Sequence, residues 1–186
     1  MVRHPRDLGY EEPGYDLPPL TMHQLTVQVE NTFINGMLFP TQASTLKERI
    51  GARRDTIAER VRAAAEIVAT KPDEPWLVWC NLNAEAEAIT AAIPGAINVQ
   101  GSDKVEHKVK HLLGFKRRQP RVLVSKPSIA GHGMNFQHCA NVVFCGLNDS
   151  FEQLFQAVRR CWRFGQEREV NAYLIASELE GAVVKN

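Results

Sequence analysis

Three long polar side chains recur at regular spacing near the carboxyl end of the chain. If the segment Q-A-V-R-R-C-W-R-F-G-Q is a helix, Gln156, Arg160 and Arg163 lie at i, i+4 and i+7 on one face, flanked by Arg159. The opposite face would then carry an apolar stripe made of Phe151, Leu154, Phe155, Val158 and Trp162. One alternative is an ordinary solvated helix, but such a helix favours Lys and Glu at i, i+4 spacing. The other alternative is a structural role in which salt bridges of the two arginines stabilise the helix. Two arginines and a glutamine held by an apolar anchor instead predict an anion-binding face.

A second polar segment, R-V-L-V-S-K-P-S-I-A-G-H-G-M-N-F-Q, precedes the first one in the chain. Its apolar run at 122–124 gives way to Ser, Lys, Pro and Gly, which is typical of a buried parallel strand that ends in a functional loop. Gly131 and Gly133 allow the backbone to approach a ligand, and Asn135 can then bond phosphate or backbone groups. A plain turn is the alternative interpretation of the same glycines.

Together the two segments resemble a known family. The pattern S-x-x-x-x-A-G-x-G-M-N-F, followed by Q-x-x-x-R-x-x-R-x-G-Q, is similar to motifs V and VI of the sucrose-non-fermenting-type (chromatin-remodeller-like) superfamily-two helicases. Members of that family are double-stranded-DNA translocases, and several bacteriophages encode compact versions. The resemblance implies the C-terminal RecA-like lobe of an ATP-dependent DNA helicase or translocase and allows a bacteriophage source. The family usually has a second glycine where Ala130 stands, so this loop is expected to be stiffer.

The resemblance also implies how the arginines act. Arg163, and with it Arg160, would reach the γ-phosphate of ATP bound on another lobe, with Gln156 assisting. Arginine suits this role because a planar, permanently charged fork can follow charge that spreads over several phosphoryl oxygens. ATP and Mg²⁺ would be bound mainly by the missing first lobe, the N-terminal RecA-like lobe that carries the P-loop. The loop residues implied to lie beside the nucleotide are Gly131, Gly133 and Asn135.

A second set of residues is implied to contact double-stranded DNA without reading its sequence. Hydroxyl groups, backbone amides and lysine suit contacts with phosphates. The motif V positions are Ser125, Lys126 and Ser128, and the ends of two other strands add Cys80, Asn81, Gly101 and Ser102. A run of basic residues is interpreted equally well as a solvated face or as a DNA contact: Lys104, Lys108, Lys110, Lys116, Arg117, Arg118 and Arg121.

Composition limits the classes of protein that the chain can represent. Its 186 residues and 44% hydrophobic content suffice for one domain with a real core. A formal net charge of +1 excludes a surface that is basic throughout, so nucleic-acid contacts must come from local patches. The sequence has no signal peptide and no apolar run near the length of a membrane span, which predicts a soluble protein of the cytoplasm, or of the host-cell cytoplasm if phages encode it.

The four cysteines predict packed, reduced thiols, because they are scattered without a C-x-x-C pair. A zinc site made of His107, His111, His132 and Cys139 is the alternative. It lacks a second ligand pair at the usual spacing, so no metal site is predicted.

The remainder of the chain predicts a parallel sheet with helices on both faces. Residues 1–22 are expected to form an extended arm or interlobe linker, and residues 23–186 a helicase C-terminal RecA-like domain. The longest helix is predicted to carry an Arg- and Glu-rich outer face. Strands are predicted around 25–29 and at 76–80, 96–99, 121–124, 141–145 and 170–175, and helices at 42–70, 84–92, 103–113 and through the arginine segment. Such alternation is typical of the α/β fold of P-loop NTPases.

One element of that fold is missing from the sequence. No G-x-x-x-x-G-K-[ST] motif occurs, so the chain has no P-loop of its own. Asp73-Glu74 superficially resembles a Walker B acidic pair, but it precedes its strand instead of ending one and is interpreted as a loop. We expect the natural polypeptide to continue before Met1. The alternative is a stand-alone nucleic-acid-binding or protein-interaction module that lacks ATPase activity.

The isolated chain is predicted not to hydrolyse ATP and to bind it weakly at most. An arginine finger stabilises a transition state but cannot hold the nucleotide and the metal by itself. The measurement is phosphate release by highly purified protein with Mg²⁺ and duplex DNA. Robust turnover that persists through further purification would contradict a site divided between two lobes.

Overall fold

The computed structural model describes residues 17–28, 51, 53–130, 134–146 and 150–178. The strands are β1 (Leu20–Val27), β2 (Trp76–Cys80), β3 (Ala96–Val99), β4 (Val122–Ser125), β5 (Asn141–Cys145) and β6 (Val170–Ser177). The helices are α1 (Ile57–Ala69), α2 (Asn83–Ala92), α3 (Val105–Lys116), α4 (Pro127–Ala130) and α5 (Phe151–Val158).

The six strands form one sheet in the order β1-β6-β5-β2-β4-β3, and every neighbouring pair is parallel. Parallel neighbours need crossover connections, which the helices between the strands provide. The central strands β2, β4 and β5 are buried along their whole length, and their sequences are correspondingly almost continuous apolar runs. The predicted parallel sheet is confirmed.

Helices cover both faces of the sheet, as predicted. Trp76 and Val78 of β2 pack in a core cluster with residues of α1 and α2. Leu77 and Trp79, the alternate residues of the same strand, pack in a second cluster with residues of α3, α4 and α5. This alternation is the period of two expected of a strand buried on both sides, and the result is a three-layer RecA-like α/β fold.

Most element bounds agree with the sequence-based predictions. β2, β3 and β5 occupy the predicted residues, because buried strands bounded by turn residues leave a clear pattern. β1 begins at Leu20, earlier than predicted, because it pairs with β6 from Val170 onward. Residues 1–16 and 29–50, which include most of the predicted arm and the first part of the longest predicted helix, lie outside the described residues. The domain limits stay a prediction.

His138, in the segment that connects β4 to β5, belongs to an aromatic cluster with Phe115 and Phe136. Its ring centroid is 4.8 Å from that of Phe115 and 6.3 Å from that of Phe136, in edge-to-face geometry. Burial lowers the pKa of His138 to about 4, and the charges of Arg118, Arg168 and Lys116 act in the same direction. A hydrogen bond with the backbone of Phe115 opposes them. The histidine is therefore neutral near pH 7.

His138→Phe is predicted to make the free energy of unfolding less dependent on pH. Between its usual pKa of about 6.5 and the folded value of about 4, the unfolded chain binds a proton that the folded chain does not. The parental protein therefore loses stability as the pH falls through that window, by no more than about 1 kcal/mol once solvent screening is included. Denaturant unfolding at several pH values measures the difference, and parallel profiles for the two proteins would contradict the assignment.

Candidate functional site

Polar residues collect where the parallel strands end. Asn81 follows β2, Gly101 follows β3 by two residues, Lys126 follows β4 and Gly146 follows β5. Because the strands are parallel, all four positions lie at one edge of the sheet, which we name the carboxyl edge. Open parallel sheets bind their ligands at this edge.

A cleft of about 310 Å³ opens beside the carboxyl edge, between α4 and α5. Ser128 of α4 and Gln156 of α5 both line it, and Ser150 and Gln153 add further polar groups. Gln156 Nε2 donates to Glu152 Oε1 at 3.0 Å on the exposed side of α5. The structure thus brings a residue predicted to contact DNA next to one predicted to assist at ATP.

The arginine helix is shorter than predicted. α5 ends at Val158, and Arg160 and Arg163 lie in successive turns beyond it. The backbone carbonyl of Arg160 accepts a hydrogen bond from the Phe136 amide at 2.7 Å, so this carbonyl is directed to the loop after β4 and not along a helix. The prediction that Gln156, Arg160 and Arg163 share one helical face is therefore wrong.

The apolar stripe of α5 is also less buried than predicted. Leu154, Ala157 and Val158, at i, i+3 and i+4, are the α5 residues that pack on the sheet. Phe151 is 77% exposed and Phe155 is 46% exposed, because both lie on the flank of that narrow contact face. The expectation that all the apolar residues of this helix are buried together is wrong for the two phenylalanines.

Arg159 lies over two aromatic rings. Its guanidinium carbon lies 5.9 Å from the ring centroid of Phe155 and 5.3 Å from that of Trp162. Trp162 in turn donates from Nε1 to the carbonyl of Pro18 at 2.7 Å, next to the start of β1. Arg159 therefore has a structural environment, and its position at the margin of an anion-binding face stays a prediction.

Arg160 and Arg163 lie within each other's electrostatic field. Burial, and then the charge of Arg163, lowers the pKa of Arg160. Nε of Arg160 is buried and has no hydrogen-bond partner among the described residues. Nη1 of Arg163 donates to Oδ1 of Asn135. Within the described ranges neither guanidinium forms an ion pair with Asp or Glu. Two neighbouring cations without a carboxylate form a site that favours an anion.

The end of the arginine segment has a structural role that the sequence did not reveal. Gln166 is buried, and its Nε2 donates to the carbonyls of Cys139 at 3.0 Å and Cys161 at 3.3 Å. Gly165 has a φ of +87°, and a β-carbon there would lie 3.1 Å from Nε2 of Gln137. Gly165 and Gln166 therefore keep the turns that contain Arg160 and Arg163 packed against the loop after β4.

The residues predicted to contact nucleic acid form two groups, one accessible to solvent and one buried. Gly101, Ser102 and Ser128 are exposed, and Asn81 and Lys126 are half-buried at the carboxyl edge. These five are placed where a ligand can reach them.

Cys80 and Ser125 are placed differently, because both are buried. Oγ of Ser125 donates to the carbonyl of Val99 at 2.9 Å, and Sγ of Cys80 donates to the carbonyl of Ser125 at 3.5 Å. Burial, followed by the nearby Glu85 and Cys145, raises the pKa of Cys80 to about 12. The prediction that these two side chains face DNA is therefore wrong, since both belong to the core.

Gly131 and Gly133 lie outside the described residues, whereas Asn135 is described and contacts Arg163. The alternative zinc site also includes an undescribed residue, His132. In the part of the chain that the structure describes, no three His, Cys, Asp or Glu side chains converge on a metal-sized site, and Sγ of Cys139 instead donates to backbone carbonyls. Among the described helices, none has the length and apolar character to cross a membrane.

Helix α1 contains a buried charge that was not predicted from the sequence. Arg60 is fully buried, although the outer face of this helix was expected to hold the arginines. Helical spacing could have predicted this burial, because Arg60, Ala64 and Ile67 lie at i, i+4 and i+7 on one face, and all three are buried.

Arg160→Met is predicted to leave the folded chain as stable as before, or more stable by up to about 1 kcal/mol. The change removes a partly buried guanidinium, an Nε that has no partner among the described residues, and the repulsion by Arg163. The matched change Arg159→Met should destabilise the chain, because it removes the contacts with two aromatic rings. Denaturant unfolding compares the variants, and a marked loss of stability in Arg160→Met would show that this arginine is structural.

Comparison with known proteins agrees with this architecture. The helicase conserved C-terminal domain family matches residues 59–165, which is more than half of the chain. No protein of curated function matches the sequence. The C-terminal part of the Fun30 ATPase domain superimposes with a TM-score of 0.62 at 17% identity, over 68% of this chain and 44% of that structure. The C-terminal domain of the DEAD-box protein Dbp5 superimposes with a TM-score of 0.57 at 12% identity, over 68% of this chain and 75% of that domain.

At such low identity the two structures show a shared fold, and this chain spans less than half of the Fun30 structure. The family match covers α2 to α5, the whole of the segment that contains Asn135, and the arginine segment up to Gly165. The chain therefore belongs to the helicase conserved C-terminal domain family.

Proposed function

We propose that the chain is the C-terminal motor lobe of an ATP-dependent DNA helicase or translocase of the remodeller type. The observation that carries the proposal is the pair of adjacent guanidinium groups, Arg160 and Arg163, which have no carboxylate partner among the described residues. Charge spreads over several phosphoryl oxygens during transfer, and a planar cationic fork can follow it. Arg163, with Arg160 beside it, would stabilise the γ-phosphate of ATP bound on a separate lobe.

The donor groups of the site suit phosphate better than metal. Nε of Arg160 is a buried donor without an acceptor among the described residues, and a phosphoryl oxygen would serve as one. The described acidic and histidine residues form no metal-sized cluster, and the sequence contains no P-loop. ATP and Mg²⁺ would thus be held mainly by the N-terminal lobe, where the metal neutralises charge on the β- and γ-phosphates.

The loop after β4 gives the finger its orientation. Asn135 accepts a hydrogen bond from Arg163, and the amide of Phe136 holds the backbone of Arg160. A guanidinium that is oriented before the nucleotide arrives loses less conformational freedom when it acts, which is how preorganised charge lowers a barrier. Gln156, in the neighbouring cleft, would assist at the same phosphate.

The carboxyl edge supports the second part of the proposal, a track for double-stranded DNA. An amide, an ammonium group and hydroxyls lie along it, at Asn81, Lys126, Ser102 and Ser128. Such groups bind phosphates and offer little for the bidentate recognition of bases, so contacts should be independent of DNA sequence. With a formal net charge of only +1, the lobe alone should bind weakly.

In the motor that contains both lobes, Arg163→Lys is predicted to lower kcat by about a thousandfold or more. Lysine keeps the charge but loses the fork, so the loss should lie in the transition state and leave DNA affinity nearly unchanged. Arg159→Lys is the matched control and should retain most activity, because Arg159 contacts aromatic rings. Steady-state ATP hydrolysis measures the effect. Equal activity in the two variants would remove Arg163 from the mechanism.

Lys126→Ala is predicted to weaken DNA binding equally for unrelated sequences. If its ammonium contacts one phosphate, the slope of log affinity against log salt should become shallower by about 0.9. Lys116→Ala is the control, since Lys116 is exposed at the end of α3 away from the carboxyl edge. Fluorescence anisotropy over a salt series with two duplexes provides the measurement. An unchanged slope, or a strong preference for one duplex, would contradict the assignment.

A further inference from the structure

A fully buried ion pair connects the two helices on one face of the sheet. Nη1 of Arg60 in α1 lies 2.7 Å from Oε1 of Glu85 in α2, and neither side chain has any exposed surface. Removing two charges from water is costly, and apolar residues of similar volume often stabilise a core equally well. Stability alone therefore does not account for this pair.

The pair holds the backbone where two strands end. Nη1 of Arg60 also donates to the carbonyl of Cys145, the last residue of β5, at 3.0 Å. Oε2 of Glu85 accepts from the amides of Asn81 and Leu82, just after β2, both at 2.9 Å. One ion pair thus fixes the ends of β2 and β5 relative to each other at the carboxyl edge.

Arg60 is itself fixed from the other side. Its Nε donates to Oγ1 of Thr56 at 3.2 Å, and its Nη2 donates to the carbonyl of Arg53. Every nitrogen of the guanidinium is therefore engaged, and the group has one defined orientation.

Gly146 shows how closely the backbone follows the pair. A β-carbon at this position would lie 2.4 Å from Nη1 of Arg60 and 3.1 Å from Oε1 of Glu85, and the residue has a φ of +97°. Its carbonyl accepts a hydrogen bond from Nδ2 of Asn81 at 3.3 Å. Asn81 and Gly146 line the same small cleft at the carboxyl edge, together with Ser150, the N-cap of α5.

We propose that Arg60 and Glu85 are positioning residues of the DNA track. The pair holds the backbone of Asn81 and so places the side-chain amide of this residue at the carboxyl edge, where it would contact a DNA phosphate. Directional bonds from charged groups can fix a backbone in a way that apolar packing cannot. The inference rests on the proposed function and assigns two buried residues that never touch the ligand.

The test compares apolar replacement of the pair with replacement of the residue it is proposed to position. Arg60→Met combined with Glu85→Leu removes both charges together and so leaves neither one unpaired. The matched control, Arg62→Met combined with Glu66→Leu, makes the same changes on the exposed face of α1. Cooperative unfolding and circular dichroism establish that each variant is folded, and duplex binding is measured by anisotropy at low salt.

The paired replacement should weaken duplex binding about tenfold, as should Asn81→Ala, and the control should bind like the parental chain. Because the pair acts through Asn81, adding Asn81→Ala to the paired replacement should cause no further loss. Parental affinity in a folded paired variant, or losses that multiply, would overturn the proposal. Failure of the parental chain to bind duplex would instead refute the DNA track itself, and the positioning role with it.

A measurement on the unaltered chain covers the case in which the paired variant does not fold. Titration with duplex should shift the nuclear magnetic resonance signals of the Arg60 Nε–H group and of the Asn81 and Leu82 amides together. Shifts of Lys126 and Ser128 without any change at these three groups would overturn the proposal, because DNA would then bind without engaging the pair.

Discussion

A hydrogen bond between two backbone groups organises the candidate site. The amide of Phe136, in the loop after β4, donates to the carbonyl of Arg160 at 2.7 Å. This bond occupies the carbonyl that a continuing helix would present to the amide of Phe164, and it joins the two sequence segments from which the candidate site is built. Gln166 strengthens the junction from within the core through its own bonds to backbone carbonyls. The loop and the arginine turns therefore form a single unit.

That unit holds cations in an arrangement that folding alone does not favour. Arg160 is partly desolvated, is repelled by Arg163 and has a buried donor without a described partner. Such cost is typical of binding sites, where a ligand supplies the missing interaction. Arg60 differs from Arg160 in this respect, because each of its guanidinium nitrogens donates a hydrogen bond and its charge is paired with that of Glu85. An anion would supply the interaction that Arg160 lacks among the described residues, whereas the Arg60–Glu85 pair fixes the ends of β2 and β5.

The fold was largely predictable, and the local geometry of the site was not. The strands at 76–80 and 141–145 could be read from sequence because fully buried parallel strands are apolar runs bounded by turn residues. Residue type and spacing singled out Arg160, Arg163 and Asn135, which the structure places close together. They did not predict the end of α5 at Val158, because periodicity does not reveal tertiary contacts such as the Phe136–Arg160 hydrogen bond. The burial of Ser125 and Arg60 depends in the same way on distant partners that periodicity does not reveal.

The most direct test of the central claim is a structure of this chain together with a P-loop lobe, Mg²⁺, ADP and aluminium fluoride. The aluminium fluoride group occupies the position of the transferred phosphoryl group. In this complex we expect the guanidinium of Arg163 to lie within hydrogen-bonding distance of the aluminium fluoride, with Arg160 beside it and the bond to Asn135 retained. Arginines paired with carboxylates of the other lobe, or directed away from the nucleotide, would contradict this expectation.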